Sequence, residues 1–489
     1  MALEHDTIAI SGGTIIAHNG DGHRMIEGGV VVVRDDRIVH VGQSWDGQAT
    51  RTIDARGKLV IPGQVSTHAH VGAHEAQRAL VDTGQREFIR SGFLHFLPAR
   101  RSGQPGVASQ QDFRASLRFG FSALLRHGVT TVLAFAPAGP DEGRTMLEVA
   151  EESGIRLFWA PIVTGGRYWL EDDGKVTREL DEDEGLASLR RAAQFIDRHA
   201  GAMGGRLNGV IALDEYYVST PRLRREAKAV ARSLGVPFTM HFLEQHREFF
   251  ETVSDGGRTP VQCLADEGVL DPSTLLAHCI YVGSHSLVGY PVADDIRILG
   301  EHGTAVAHSP VAFSRRGMML ESFDRYRRAG INVALGTDTY PLDMFAEMRT
   351  ASTACKAADR NHEAAPAGAV FEASNVAGAK ALGSPDIGRI AAGAKADIVI
   401  MDTENLSFGV NPDPIRALVH LATPGMVDTV IVDGRVVVSD KRLLGVDEQA
   451  LLEEVRTSSE RMWQHYSLYH PSGQTLAERF PAALPQWTE

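Results

Sequence analysis

The chain has 489 residues, and 49 Lys and Arg against 62 Asp and Glu give it a net charge of −13. The two signs are mixed along the sequence. This argues against nucleic acid or an anionic membrane surface as a partner, because both need a concentrated basic surface. No apolar run approaches the roughly 18 residues that span a bilayer, and the first residues do not resemble a signal peptide. We therefore expect a cytoplasmic protein that acts on a small molecule.

Three widely separated cysteines, Cys263, Cys279 and Cys355, rule out a disulfide framework and a cysteine-based zinc site. Any bound metal would have to be held by other side chains. The 20 histidines and 49 glycines are more informative, because these residues are typical of loops and sites where they cluster.

Short strands with tight turns fill residues 7–53 and return at 396–408 and 427–438. In these segments β-branched residues alternate with Gly-Gly and Asp-Asp turns, a pattern typical of antiparallel sheet. Each group of strands is too small to bury a core alone. We therefore expect one composite β-sandwich domain formed by residues 1–60 and 385–445.

Between these segments, residues 61–384 alternate apolar strands with amphipathic helices, for example at 113–128 and 220–235. Eight such units predict an α/β fold, a (β/α)8 TIM barrel whose parallel strands are covered by helices. A doubly wound sheet is the alternative, and the absence of GxGxxG and P-loop motifs disfavours it. Residues 446–489 are expected to form a C-terminal helical extension. The predicted barrel strands are 63–70, 129–135, 155–163, 208–213, 236–241, 273–278, 303–308 and 331–337.

The first barrel strand ends in two histidines, His68 and His70. Residues i and i+2 of a strand point to the same face, so both imidazoles project into the same space. That end of a barrel strand is the active-site face, and neutral imidazole is a common metal ligand. Alone, the pair is also compatible with two ordinary polar loop histidines.

Three more strand ends carry residues that bind metals or transfer protons. Strand five ends at His241, with Glu244 three residues further on, strand six ends at His278, and strand eight leads into Asp338. The carboxyl ends of all barrel strands meet at one rim, so we expect these side chains to converge. Such residues at four of eight strand ends indicate an active site rather than isolated core histidines.

Three imidazole nitrogens and one carboxylate can bind one divalent ion and leave a position open for water. The ion would acidify that water and give a metal-activated hydroxide at neutral pH. Glu244 is placed to carry a proton from the water to the leaving group. His278 can hold the substrate or orient the nucleophile, and Asp338 can also act as a base. The predicted ligands are His68, His70, His241 and Asp338.

These motifs and their order resemble the amidohydrolase superfamily, in particular its mononuclear branch of cytosine and guanine deaminases and triazine or chlorohydrolase-type enzymes. The similarity runs from KLVIPGQVSTHAHV, which enters the barrel, to GRIAAGAKADIVIMD, which returns to the sandwich. It implies one zinc or iron(II) ion on the four ligands, with Glu244 and His278 catalytic. Bimetallic relatives carry a bridging lysine on strand four. This chain reads LNGVIALDEYYV there and has no lysine in that strand, so the resemblance favours a single metal ion.

Two segments depart from the family pattern, His308-Ser309-Pro310 after strand seven and Thr339-Tyr340-Pro341 after strand eight. Both segments line the pocket in the family, so the resemblance does not imply a particular substrate.

Several residues outside the metal set are candidates for contact with a substrate. Trp169 and Tyr217 could form an aromatic wall for a planar ligand, and His308 is a further candidate for a substrate contact. The Gly/Pro-containing stretch at 99–107 has the composition of an active-site lid.

The sequence therefore predicts a metal-dependent hydrolase that cleaves a C–N bond of a small, nitrogen-containing, heterocyclic substrate in a deaminase-type reaction. An enzyme that attacks an amide, urea or carbamate carbonyl is the alternative, because it would use the same metal site. A catalytically inactive binding protein is disfavoured by the complete set of ligands. We also expect a homo-oligomer, to which the C-terminal extension with Trp463 would contribute.

Overall fold

The computed structural model describes residues 6–73, 75–80, 109–137, 139–171, 173, 175–290, 294–469 and 473–487. The stretch 99–107, interpreted above as a lid, lies outside these residues.

Twenty strands occur in the described ranges and form three sheets. In chain order they are β1 (Thr7–His18), β2 (His23–Arg34), β3 (Arg37–Gly42), β4 (Arg51–Asp54), β5 (Lys58–Pro62), β6 (Gln64–Ala69), β7 (Val129–Ala136), β8 (Arg156–Val163), β9 (Gly166–Leu170), β10 (Val176–Leu180), β11 (Leu207–Gly209), β12 (Ile211–Glu215), β13 (Phe238–Phe242), β14 (Thr274–His278), β15 (Ala305–His308), β16 (Asn332–Leu335), β17 (Ile398–Asp402), β18 (Val427–Val432), β19 (Arg435–Ser439) and β20 (Arg442–Leu443).

The same part of the chain contains sixteen α-helices and three short 3-10 helices, the latter at Glu75–Leu80, Met203–Gly205 and Pro424–Met426. The α-helices are α1 (Gln110–Arg126), α2 (Pro140–Ser153), α3 (Glu182–His199), α4 (Pro221–Leu234), α5 (His246–Gly256), α6 (Pro260–Asp266), α7 (Asp295–Glu301), α8 (Pro310–Ser314), α9 (Phe323–Arg328), α10 (Met344–Asp359), α11 (Ala367–Ala373), α12 (Val376–Ala381), α13 (Pro414–Leu421), α14 (Glu448–Gln464), α15 (Tyr466–Tyr469) and α16 (Leu476–Arg479). None of the described helices is long and apolar enough to span a membrane.

Eight parallel strands form the predicted barrel in the order β6-β7-β8-β12-β13-β14-β15-β16. All of them except β8, β12 and β16 are buried along their whole length, as expected for a sheet that helices cover. The predicted fourth strand is divided into β11 and β12, and β11 also pairs with β8. The first and last strands meet at a bridge between Ala69 and Asp338, which closes the barrel. The (β/α)8 prediction is confirmed.

Both example helices begin after a residue whose side chain caps the helix. Thr220 caps α4 by accepting the Leu223 N–H, Pro221 is the first helical residue, and Gly235 ends the helix in a left-handed conformation. Helix α1 begins three residues before the predicted position, because Ser109 and Asp112 form a capping box there.

Strands from both ends of the chain share one mixed sheet of nine strands. The junction is the antiparallel pairing of β5 with β17, in which Pro62 faces Ile398. Ile10, Val31 and Ile431 are fully buried in the core of this sheet. The composite nature of the sandwich is therefore confirmed, while the residue limits of the domains stay a prediction. In the C-terminal extension, Trp463 Nε1 donates to the Ala76 carbonyl oxygen at 2.8 Å, which holds α14 against the barrel.

A buried ionic network links the barrel to this sheet. Arg156, the first residue of β8, donates from Nε to Asp397 Oδ2 at 2.9 Å and from Nη2 to Asp433 Oδ1 at 2.7 Å. Asp397 also accepts the backbone N–H of Asp433 at 2.8 Å. The Arg156 and Asp397 side chains are 3% and 1% exposed, so loss of the guanidinium would leave two buried carboxylates without their main cation.

We expect Arg156→Met to lower the free energy of unfolding by about 3–5 kcal/mol, because breaking a buried ion pair leaves uncompensated charge. Thermal unfolding of the two proteins measures this effect. Arg297→Met is the matched control, because Arg297 is exposed and pairs with Asp294 and Glu301 at the surface, where ion pairs contribute little. Equal melting temperatures for Arg156→Met and the control would contradict the role of the network.

Candidate active site

The first and last barrel strands bring three predicted site residues to the same rim. His68 lies in β6, His70 follows the end of that strand, and Asp338 lies three residues after β16. The Asp338 N–H donates to the His68 carbonyl oxygen at 2.9 Å, and the His70 N–H donates to the Asp338 carbonyl oxygen at 2.8 Å. These backbone contacts place the three side chains at the carboxyl ends of the strands, where barrel active sites lie.

Strands β13 and β14 supply the remaining predicted residues. His241 lies in β13, Glu244 follows two residues after its end, and His278 is the last residue of β14. His278 and Asp338 have positive φ angles of 80° and 54°, which residues with a Cβ rarely adopt. The chain therefore turns sharply at both strand ends, and local backbone strain of this kind is often found at functional sites.

The four histidine rings lie together with the Asp338 carboxylate. The His68 ring centroid is 5.0 Å from that of His70, 4.8 Å from that of His241 and 4.7 Å from that of His278. His70 Nε2 lies 3.0 Å from His241 Nε2 and 3.8 Å from Asp338 Oδ1. The structure thus brings together all the residues that the sequence predicted as metal ligands.

Some ring nitrogens of this cluster have no hydrogen-bond partner among the described residues, as expected of atoms that bind a divalent metal ion. His68 is fully buried, yet neither of its ring nitrogens has a hydrogen-bond partner among the described residues, and the same holds for His278 Nδ1. Buried polar atoms without a partner are costly and call for an explanation. Two groups have ligand atoms within 4.8 Å of one another and could hold an ion. They are His68, His241 and His278, and His68, His70 and Asp338.

A backbone contact fixes the orientation of His241. Its Nδ1 donates to the Asp214 carbonyl oxygen at the end of β12. Because Nδ1 then carries the proton, Nε2 presents its lone pair to the cluster. A hydrogen bond from the second nitrogen to a carbonyl is the usual way in which proteins orient a ligating imidazole.

Burial controls the ionisation of the site. It lowers the pKa of His70 and His241 to about 4, so their imidazoles are neutral, as metal binding requires. It also raises the pKa of Asp338, and burial together with the negative charge of Asp338 raises the pKa of Glu244 to about 8. Glu244 is therefore close to the point at which it can accept and release a proton near neutral pH.

All residues of the cluster except His68 line a cavity of about 760 Å³. His70, His241, His278, Glu244 and Asp338 line it together with aromatic side chains. A floor of polar groups with apolar walls is the usual form of a site for a small organic molecule. The aromatic wall residues are Phe113, Phe135, Tyr168, Trp169 and Tyr340.

Of the three predicted substrate contacts, the structure places only Trp169 in the cavity wall. Tyr217 is turned away, and its ring lies beneath Arg178 at 3.8 Å and near Arg247 at 5.7 Å. His308 is buried at the end of β15 and is not part of the lining. Tyr217 and His308, which the sequence also offered as substrate contacts, therefore lie outside the lining of this cavity.

Several residues of the cavity are not among those predicted from the sequence. Tyr168, next to Trp169 on β9, donates from its hydroxyl to Glu215 Oε2 at 2.7 Å. Asp214 and Glu215 line the cavity from the end of β12, and Arg316 lines it from the segment after α8. The Asp-Glu pair directly after an apolar strand was the available signal, because polar residues at that end of a barrel strand face the site.

The amidohydrolase family model matches residues 59–437, which is more than half of the chain. The chain belongs to the amidohydrolase family. A 5-methylthioadenosine/S-adenosylhomocysteine deaminase from Halobacterium salinarum is 30% identical to this amidohydrolase over 455 residues, which cover 92% of this chain and 96% of that protein. A 5'-deoxyadenosine deaminase from Methanosarcina mazei is 29% identical over 441 residues, which cover 89% and 94% of the two chains.

Solved structures share the fold of this amidohydrolase. An adenosine deaminase from Xanthomonas campestris with bound zinc superposes with a TM-score of 0.76 at 21% identity, over 93% of this chain and 98% of that one. An atrazine chlorohydrolase from Arthrobacter aurescens, complexed with zinc, superposes with a TM-score of 0.76 at 22% identity, over 92% and 100% of the two chains. The family and its deaminase relatives confirm the predicted class of enzyme, a hydrolase of C–N bonds.

In the chelator-treated protein, we expect Glu244→Gln to be more stable than the unchanged protein, by a margin that grows with pH. The pKa of Glu244 is raised from 4.5 to about 8 in the folded state. Protonated Glu244 therefore makes its full contribution to the free energy of unfolding below pH 4.5. This contribution is lost as the pH rises towards 8, because the buried carboxyl group then ionises. The loss is at most about 1.4 kcal/mol per pH unit.

Thermal unfolding between about pH 5 and pH 8 measures this difference. Glu363→Gln is the control, because Glu363 is exposed and its substitution should leave no such trend. A difference between Glu244→Gln and the unchanged protein that does not vary with pH would show that Glu244 is ionised throughout.

Proposed function

We propose that this amidohydrolase deaminates 6-aminopurine nucleosides. Water adds to ring carbon C6, the C6–N bond breaks, and the products are a 6-oxopurine and ammonia. The observation that carries the proposal is the convergence of three histidines and two carboxylates in one aromatic-walled cavity, with the ring of the fully buried His68 beside the other three. The relatives that are named as deaminases of adenosine derivatives support the choice of a purine nucleoside.

We propose His68, His70, His241 and Asp338 as the ligands of one divalent ion, zinc or iron(II). Their donor set of three nitrogens and one oxygen suits either ion. The orphaned ring nitrogens of the fully buried His68 support its place in this set. When bound, such an ion lowers the pKa of a water molecule and so supplies the nucleophile near neutral pH.

Glu244 is the proposed proton carrier. It lines the cavity beside the proposed ligands, and its raised pKa of about 8 lets it exchange protons near neutrality. It accepts a proton from the attacking water and delivers it first to ring nitrogen N1, next to the reacting carbon. A second proton transfer to the amino group then lets it leave as ammonia.

His278 and Asp338 complete the proposed machinery. His278 lines the cavity and its Nδ1 has no partner among the residues described, so the imidazole is available to hold the oxygen that forms at the reacting carbon. The Asp338 carboxylate can accept a hydrogen bond from the attacking water. This contact orients a lone pair of the water oxygen towards ring carbon C6.

The aromatic wall supports a planar substrate. Trp169 and Tyr168 lie on β9, and the Tyr168 hydroxyl is anchored to Glu215. A purine ring can stack on such a wall, and the cavity of about 760 Å³ is ample for the ribose as well.

A homo-oligomer in the cytoplasm stays a prediction. Leu468, Leu484 and Trp487 in the C-terminal extension are 60%, 79% and 92% exposed, and they are candidates for a subunit contact. Light scattering on a sizing column measures the assembly.

We expect the purified protein to contain about one zinc or iron ion per chain by elemental analysis. His68→Ala and Asp338→Ala should lose that metal while they keep their circular dichroism spectrum, because each removes one of only four ligands. His362→Ala is the control, because His362 is exposed and lies outside the cavity. Full metal content in both ligand variants would contradict the proposed set.

We expect the metal-loaded protein to release ammonia from adenosine, 5'-deoxyadenosine or 5'-methylthioadenosine. Glu244→Gln should lower kcat roughly 10²- to 10⁴-fold, the usual contribution of a general acid/base, while metal content stays unchanged. Coupled ammonia detection measures the rates. Turnover of linear ureas or carbamates in place of these nucleosides would instead support the carbonyl-directed alternative.

A further inference from the structure

Two neighbouring arginines follow α8, and they have different surroundings. Arg315 donates from Nη1 to the Tyr340 carbonyl oxygen at 2.7 Å and from Nη2 to Thr339 Oγ1 at 3.2 Å. Its guanidinium also lies 3.9 Å from the centre of the Tyr340 ring. All of these contacts join Arg315 to the segment after β16, so its role is to hold the cavity wall.

Arg316 lines the cavity but makes none of these contacts. Its backbone N–H donates to the Phe313 carbonyl oxygen at 2.8 Å, which fixes the position of the residue. Its guanidinium has no hydrogen-bond or ion-pair partner among the residues of the described ranges. A rigid, planar group with five N–H donors therefore lines the cavity without an acceptor in the described part of the chain.

Arg316 lines the same cavity as Glu244, His278 and Asp338. In the order of the barrel strands, Glu244 follows β13, His278 ends β14 and Arg316 comes after β15. Glu244 and Arg316 thus follow the two strands that flank β14, the strand that ends at His278.

A 6-aminopurine presents two hydrogen-bond acceptors beside its reacting carbon, N1 in the six-membered ring and N7 in the five-membered ring. In the proposed reaction, Glu244 delivers a proton to N1. A side chain on the other side of the amino group meets N7, which can only accept a hydrogen bond. An arginine, which can only donate, matches that atom.

We propose that Arg316 is a specificity-determining residue that donates a hydrogen bond to N7 of the 6-aminopurine substrate. This inference rests on the proposed function and adds the atom by which the ring is recognised. The contact fixes the ring against rotation in the cavity and holds C6 above the metal ligands. It also selects against heterocycles that carry C–H at the position of N7, because the guanidinium would then lose its acceptor.

The test compares adenosine with 7-deazaadenosine, in which N7 is replaced by C–H. With the metal-loaded protein, we expect kcat/KM for adenosine to exceed that for 7-deazaadenosine by roughly ten- to a hundredfold, the range for a hydrogen bond to a charged group. In Arg316→Met this ratio should fall by roughly that factor, to the ratio set by the different reactivity of the two rings, and Arg316→Lys should restore part of the loss. Arg167→Met is the comparison variant, because Arg167 also lines the cavity but should keep the ratio of the unchanged protein.

A purely electrostatic or structural role for Arg316 predicts a different result. Arg316→Met would then slow both substrates equally and leave their ratio unchanged, and this outcome overturns the inference. A ratio near one in the unchanged protein overturns it as well.

Binding separates this inference from the proposed reaction. Purine riboside has no amino group to lose, so calorimetric titration of the metal-loaded protein with purine riboside and its 7-deaza analogue needs no turnover. A preference for purine riboside that disappears in Arg316→Met supports the role of Arg316 even if no nucleoside is deaminated. Failure of the unchanged protein to prefer purine riboside overturns the inference, whatever the reaction proves to be.

Discussion

Hydrogen bonds between the first and last barrel strands hold the candidate site together. Asp338 exchanges backbone hydrogen bonds with His68 and His70, and the Thr337 N–H donates to Ser66 Oγ at 3.1 Å in the same seam. Gly336 permits this close approach, since a Cβ at that position would lie 2.9 Å from His68 Cβ. The spacing of the proposed metal ligands therefore follows from barrel closure, and the rest of the site is arranged around it.

The same burial that suits the cluster to its chemistry makes it costly to fold. Neutral histidines and carboxyls with raised pKa values are what a metal site and a proton carrier need, yet each is a polar group removed from water. The left-handed backbone at His278 and Asp338 adds local strain. The surrounding barrel compensates for these costs, and the buried Arg156 network joins that barrel to the sheet formed by both chain ends.

The barrel strands do not determine which substrate the enzyme binds. Enzymes with related barrels are named for adenosine and for atrazine, so recognition depends on the segments that follow the strands. In this chain those segments include the β9–β10 hairpin with Trp169, the acidic end of β12, and the turn that carries Arg316. Each contributes a different chemical character, aromatic, acidic and basic, to one cavity.

The sequence by itself determined the architecture and the candidate site residues. Apolar strands at regular intervals gave the barrel, and polar residues at their carboxyl ends identified His68, His70, His241, Glu244, His278 and Asp338, because strand direction alone puts such residues at one rim. Only the tertiary structure decided which neighbouring side chains face the cavity. Tyr168 enters it while Tyr217 lies beneath Arg178, and Arg316 enters it while Arg315 is tied to Tyr340. The physical reason is that side chains in loops and turns take their direction from long-range partners, which local sequence patterns do not encode.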